Sequence, residues 1–188
     1  MTDKEFYEEV FGFDASEKYK AKRFSEVEHS LKQFIAKAIG QEQVAVARSS
    51  LVNHYHFVED YESALSLLHE QLREYPSDWL ALIGLTSHFH YYQVDLTEAA
   101  AAVEAALAQA TRQQSFVRQT LGDRMRIALL NADFGLATAT LEQLIAYSPP
   151  ADSIDVAYEG DFIKDIPHGM IDRFLVARYE ALISRGAE

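Results

Sequence analysis

The sequence predicts an all-α protein. Among its 188 residues glycine (8) and proline (4) are scarce, while alanine and leucine are abundant. Apolar residues recur at three- and four-residue intervals nearly everywhere, as helix faces require, and strand-like alternation is almost absent. The length suits one domain, 1–188, large enough to bury a sizeable core without disulfides or metals.

Taken in order, the first element is a short aromatic helix over 5–11, carrying Phe6, Tyr7, Val10 and Phe11, with Phe13 just after it. These residues either fold back onto the following helices as a cap or fill the groove or dimer interface of a neighbouring molecule. Lys18, Lys20, Lys22 and Arg23 form a basic cluster of the kind that ordinarily faces water. A longer helix places Phe24, Val27, Leu31, Phe34, Ile35 and Ala38 on one stripe, and Gly40 stops it.

From there the pattern resolves into helices over roughly 43–58, 60–75, 78–93, 96–111, 115–131 and 134–147. Asp60, Asp78 and Asp133 each stand where a side-chain oxygen can cap the next helix, and Asp95 marks a further break. Pro76 and Pro149–Pro150 end the helices before them. Residues 148–167 read as an irregular acidic loop with Asp152, Asp155, Glu159, Asp161 and Asp165, whose spacing does not fit a calcium-binding loop of the EF-hand type. Pro167 or His168 opens a last helix carrying Met170, Ile171, Phe174, Leu175, Tyr179, Leu182 and Ile183, long enough to close an exposed hydrophobic end.

The formal net charge is −12. Nucleic acid is disfavoured, because binding it requires phosphate neutralisation; a basic or amphipathic protein or peptide fits better. The excess is uneven: residues 41–112 hold ten acids and three bases, whereas residues 113–150 hold three of each, with Arg118, Arg124 and Arg126 close together. With no cysteine, disulfides, zinc-thiolate sites and thiol nucleophiles are excluded. No apolar run follows the charged N-terminus, and the stretch from Ala99 to Ala110 is interrupted by Glu104 and too short to span a bilayer. The expected setting is the cytoplasm, with no membrane partner.

The most specific signal is an internal repeat. Asp60-Tyr61-Glu62-Ser63-Ala64, Asp95-Leu96-Thr97-Glu98-Ala99 and Asp133-Phe134-Gly135-Leu136-Ala137 each open a second helix. The aligned alanines Ala64, Ala99 and Ala137 are 35 and 38 residues apart, near the roughly 34-residue period of a tetratricopeptide repeat. A small residue at the crossing lets two antiparallel helices approach, while bulky residues fill the layers on either side. Leu51, Tyr55, Ala64, Leu68 and Pro76 of the first unit resemble that family's pattern. Trp79 and Leu82 keep part of it in the second, despite about four extra residues around Phe89-His90-Tyr91-Tyr92. Leu121, Ala128, Ala137, Leu141 and Pro149 keep it in the third, where Arg124 stands at an apolar position. The resemblance covers 45–149. It implies a tetratricopeptide-like α-solenoid of about three helix hairpins, preceded by an N-terminal helical segment (1–40) and followed by an acidic loop and capping helix (150–188). A generic helical bundle is the alternative.

The resemblance further implies that the first helix of each pair lines a concave groove. Carried over by alignment, the groove residues are Ser49, Asn53, His56 and Phe57; Leu80, Gly84, Ser87 and His88; and Gln119, Gly122, Arg126 and Leu129. Such a mixed surface suits an extended or helical peptide. One branch of the family clamps a C-terminal carboxylate with Lys, Arg and Asn. Here only Asn53 matches, and Ser49, Ala81, Gln119 and Asp123 do not. The plan is also similar to that of small acidic secretion chaperones of the type III translocator class, and acidic helical immunity proteins are a further parallel.

The expected function is therefore a non-catalytic scaffold that binds another protein, without a cofactor. Its alternatives are a dedicated secretion chaperone or immunity protein, and a self-associating structural protein or homodimer joined through 1–13 and 168–185. A helical enzyme or metal protein using His56, His88 and Arg126 is the remaining reading. His54-Tyr55-His56 and His88-Phe89-His90 do not favour it, because residues two apart on a helix point about 200° apart and cannot chelate together.

Overall fold

The computed structural model describes residues 2–13, 15–92, 95–155 and 160–185, without the side chains of Phe11, Tyr91 and Arg185. Glu159 of the expected acidic loop therefore lies outside the described residues. Those described form α-helices and no strand, as the periodicity predicts: α1 Asp3–Phe11, α2 Ser16–Lys20, α3 Phe24–Lys37, α4 Gln41–Phe57, α5 Tyr61–Glu74, α6 Trp79–Tyr92, α7 Leu96–Gln113, α8 Val117–Leu130, α9 Phe134–Ala146 and α10 Arg173–Arg185, with a 3-10 helix at Asp161–Asp165. None of these helices is long and apolar enough to cross a membrane. The backbone divides into two compact units, residues 1–84 and 85–188, the division falling within α6.

The first unit is built on α4. Helix α5 packs on it after a three-residue turn, α3 packs on it as well, and α1 lies against it. The N-terminal aromatics fold back as a cap: Phe6 and Val10 are buried, and Gln43 on α4 donates to Asp3 at 2.6 Å. The short α2 is an element that the periodicity did not predict.

In the second unit α7, α8 and α9 pack in sequence, α10 packs on α9, and the 3-10 helix lies against α8. Phe162 anchors the 3-10 helix with its ring stacked on Tyr179 of α10, centroids 5.4 Å apart. The segment before it also departs from a solvated loop. Phe116 N–H donates to the Ile154 carbonyl at 2.6 Å, and the Asp155 carboxylate accepts the Arg118 N–H at 3.1 Å. Helix α8 has no side-chain cap of its own, so Asp155 supplies one from a distant part of the chain.

The predicted caps form. Asp60, Asp78 and Asp133, and Asp95 with them, each accept a hydrogen bond from the backbone N–H three residues on. The turns α4–α5 and α8–α9 also close alike. Glu59 and Ala132 sit at φ 62° and 54°, and the aspartate after each donates its N–H back to Tyr55 and Ala128 respectively, both at 2.9 Å. This is a Schellman-type ending in which a side-chain-bearing residue occupies the position that glycine usually fills. Ala64, Ala99 and Ala137 are all 0% exposed.

The last helix is a correction. Neither Pro167 nor His168 opens it; Gly169 turns the chain at φ 82°, and Asp172 caps α10 by accepting the Phe174 N–H at 2.8 Å. Ile171, just before the helix, and Tyr179 within it are buried, and Phe174, assigned to the same stripe from spacing, is 82% exposed. The helix begins later, so Phe174 falls in its first turn, where it stands in solvent.

Candidate functional site

Helices α6 and α8 carry a hollow in the second unit. Ser87 and His90 come from α6, Gln119, Asp123 and Arg126 from α8, and Gly160, Asp161, Lys164 and Asp165 from the opposite wall. The cavity measures about 670 Å³. The α8 residues fall at intervals of four and three, so one helix face presents all of them. A smaller hollow of about 280 Å³ shares His90, Arg126 and Asp165 and adds Leu129 and Leu130.

The lining is charged in both signs. Arg126 pairs with Asp123 at 3.0 Å. Burial first, then the Arg126 charge, push the His90 pKa below its ordinary value, and Asp165 acts against them. His90 is thus held toward the neutral form. The walls offer donors from Arg126, Lys164 and Gln119 and acceptors from three carboxylates, an arrangement that can hydrogen-bond a polar chain. Among the described residues no group of three or more His, Asp or Glu could hold a metal ion.

Several residues expected on a groove meet here: Ser87, Gln119, Arg126 and Leu129 share these hollows. Others do not. His88 is 3% exposed, packed against the rings of Phe89 and Tyr92, so His90 takes the position expected of it. Gly122 is buried. Gly84 faces α5, where an added Cβ would lie 2.7 Å from Leu68 Cδ2; it allows close packing of α6 on α5 and lines no groove. The 3-10 helix wall was missed. Its signal was present in Phe162, an aromatic within an acidic stretch that a purely solvated loop would not need.

In the first unit Ser49, Asn53, His56 and Phe57 share one face of α4; Asn53 and Phe57 are exposed, Ser49 and His56 half-buried, and Leu80 on α6 is half-buried. Phe57 is 59% exposed, yet the Tyr19 ring of α2 lies over it at 4.2 Å. Beside it His54 is buried and paired through Nδ1 with the Tyr19 hydroxyl at 2.9 Å. Each histidine of the 54/56 pair therefore has its own environment, as their angular separation requires.

A third site lies at the start of α8. Burial, with the Asp155 carboxylate beside its hydroxyl, pushes the Tyr147 pKa up to about 12, and the Arg118 guanidinium sits over its ring at 5.8 Å. Replacing Asp155 with Asn should bring the Tyr147 pKa down toward its ordinary value, as read by a spectrophotometric phenol titration. Asn keeps the oxygen that accepts the Arg118 N–H, so stability should change little; Asp155→Ala should lower it by about 1 kcal/mol, the usual worth of a cap. An unchanged phenol titration would mean that Asp155 does not act on Tyr147.

Fold and site together define an all-helical protein with a polar, two-walled cavity on α6 and α8. No family model matches the chain, and comparison with curated proteins and with solved structures returned no match.

Proposed function

We propose that this chain is a tetratricopeptide-like repeat protein that holds a peptide or helix of another protein against first-helix faces, on α4 in the first unit or on α6 and α8 in the second, and performs no catalysis. The observation that carries this reading is the shared build of its helix pairs. The second helices α5, α7 and α9 each begin at an aspartate cap and each bury a fully enclosed alanine, and two of the three pairs close through the same turn geometry. In such arrays the first helices carry the ligand face. The α6–α8 cavity and the Asn53–Phe57 face of α4 supply the mixture of charge, amide and aromatic surface that suits a polypeptide. The partner is basic or amphipathic, in keeping with a net charge of −12.

A dedicated chaperone or immunity protein is one form of this reading, and the cytoplasm is its natural setting. Selection from a random-peptide library should return binders whose affinity drops about tenfold or more, roughly 1.4 kcal/mol, when Asn53 or Arg126 is replaced by Ala. Binders indifferent to both replacements would count against these faces as the partner site.

A further inference from the structure

The short helix α2 packs on α3 and reaches α4 through Tyr19. It buries no residue of its own. Tyr19 supplies its main contact: the hydroxyl meets His54 Nδ1 at 2.9 Å, and the ring stacks on His54 at 5.8 Å and covers Phe57 at 4.2 Å. Lys18 adds a 3.4 Å hydrogen bond to Ser30 and a cation–π contact with Phe13 at 5.3 Å. The chain then reverses through Lys22 at φ 55° into α3. That arrangement is a lever hinged at 22 and fastened at 19.

The fastening lies over a titratable group. His54 is 3% exposed. The groups facing it are the Tyr19 hydroxyl from α2, Tyr55 beside it on α4, and the Glu28 carboxylate from α3. Glu28 is already engaged by Lys32 at 2.7 Å and by the Tyr55 hydroxyl at 3.1 Å, so little of its charge remains to offset an imidazolium. Burial pushes the His54 pKa down and Glu28 opposes this less strongly.

We propose that α2 is an acid-released clasp, closed over the Phe57 end of α4 while His54 is neutral and opened when His54 is protonated. The sign follows from linkage. With α2 lifted, His54 meets water and recovers its ordinary affinity for a proton; with α2 closed, that affinity is lower. The open form binds more protons, so its population rises as pH falls from the ordinary histidine value of 6.5 toward the lower closed-state value, by at most about tenfold per pH unit. Opening removes the Tyr19 ring from Phe57, already 59% exposed, and from the half-buried Phe24; the two phenylalanine rings are 6.2 Å apart. The use of that uncovered surface by a partner rests on the function proposed above; the opening itself does not.

Amide hydrogen exchange on the full chain tests the opening. Corrected for intrinsic rates, exchange in residues 16–22 should accelerate severalfold between about pH 7.5 and pH 5.5, with α7–α9 unchanged. His54→Asn keeps an acceptor near the Nδ1 position but cannot titrate, and should show no such acceleration. Tyr19→Phe, which leaves the histidine in place, should exchange faster in this segment already at pH 7.5. Wild-type exchange that ignores pH, or the same acceleration in His54→Asn, overturns the proposal. Library-selected peptides then separate the two readings: acceleration of exchange without tighter peptide binding in acid leaves the clasp standing and removes the Phe57 end of α4 as a partner site.

Discussion

Replacing Arg48 with Ala should lower the unfolding free energy by about 2 kcal/mol, the scale expected when a buried amide, Gln71, loses its charged partner; the two carboxylates that Arg48 also meets are about half exposed and add little. Arg48 is one of few charged side chains inside the first unit. Its Nη1 donates to Gln71 Oε1 at 2.5 Å and to Glu74 at 3.0 Å, and its Nη2 donates to Glu70 at 2.9 Å. Gln71, 2% exposed, passes the network on through its Nε2 to Asp78 at 2.9 Å, whose other oxygen caps α6 at the Ala81 N–H. One guanidinium thus ties α4 to α5 and, through Gln71, to the start of α6. Removing it strands the Gln71 oxygen in a dry site and leaves two carboxylates facing each other. Arg48→Met in combination with Gln71→Leu should lose less than the sum of the two single replacements, because an apolar pair leaves fewer unmet groups. Urea unfolding measures both. A loss under about 0.5 kcal/mol for Arg48→Ala would place this network among surface ion pairs of little consequence.

Enlarging the enclosed alanines should be at least as costly. Ala64→Leu, Ala99→Leu and Ala137→Leu should each destabilise by about 2–3 kcal/mol, since a close-packed helix crossing has no room for three more carbons. Ala101→Leu and Ala139→Leu, at exposed positions of α7 and α9, are the controls and should stay within about 0.5 kcal/mol of the parent. Equal effects at enclosed and exposed positions would show that the alanines are not at close crossings.

The helices from α3 to α9 were legible chiefly through apolar stripes, as in α3, and aspartate caps, as in α5, α6, α7 and α9. Asp60, Asp78 and Asp133 mark starts within a residue or two, since the capping bond fixes where the helix can begin. The start of α10 was not legible. Pro167 is a good first-turn residue, but Gly169 and Asp172 form a tighter signal that outcompetes it, and Phe174 went to the wrong face as a result. Arg48 was passed over although the signal was present: it interrupts the apolar run Val44, Leu51, Val52, Tyr55 on α4, and Gln71 extends the Ala64–Leu68 stripe of α5. Polar residues in two facing apolar stripes announce a buried pair.

On the candidate site, the alignment to the repeat pattern assigned Ser87, Gln119, Arg126 and Leu129 to the groove, and they line the two neighbouring hollows. It misassigned His88, which follows Ser87 but lies with Leu85 and Phe89 on the buried side of α6. The opposite wall, Gly160 to Asp165, comes from a segment that lies 34 residues beyond Arg126 in the chain, and no local pattern specifies where such a segment lands. Its anchor, Phe162 on Tyr179, is a tertiary contact between two apolar residues of different elements.

The claim that most needs testing is that the first-helix faces hold a polypeptide. Titration of isotope-labelled protein with a library-selected peptide, followed by backbone amide chemical shifts, tests it most directly. The account predicts that the shifts move at Ser49, Asn53 and His56 on α4 or at Ser87, Gln119 and Arg126 around the cavity, with α5, α7 and α9 largely still. Shifts confined to the exposed residues of α5, α7 and α9, with those two faces unmoved, would contradict it.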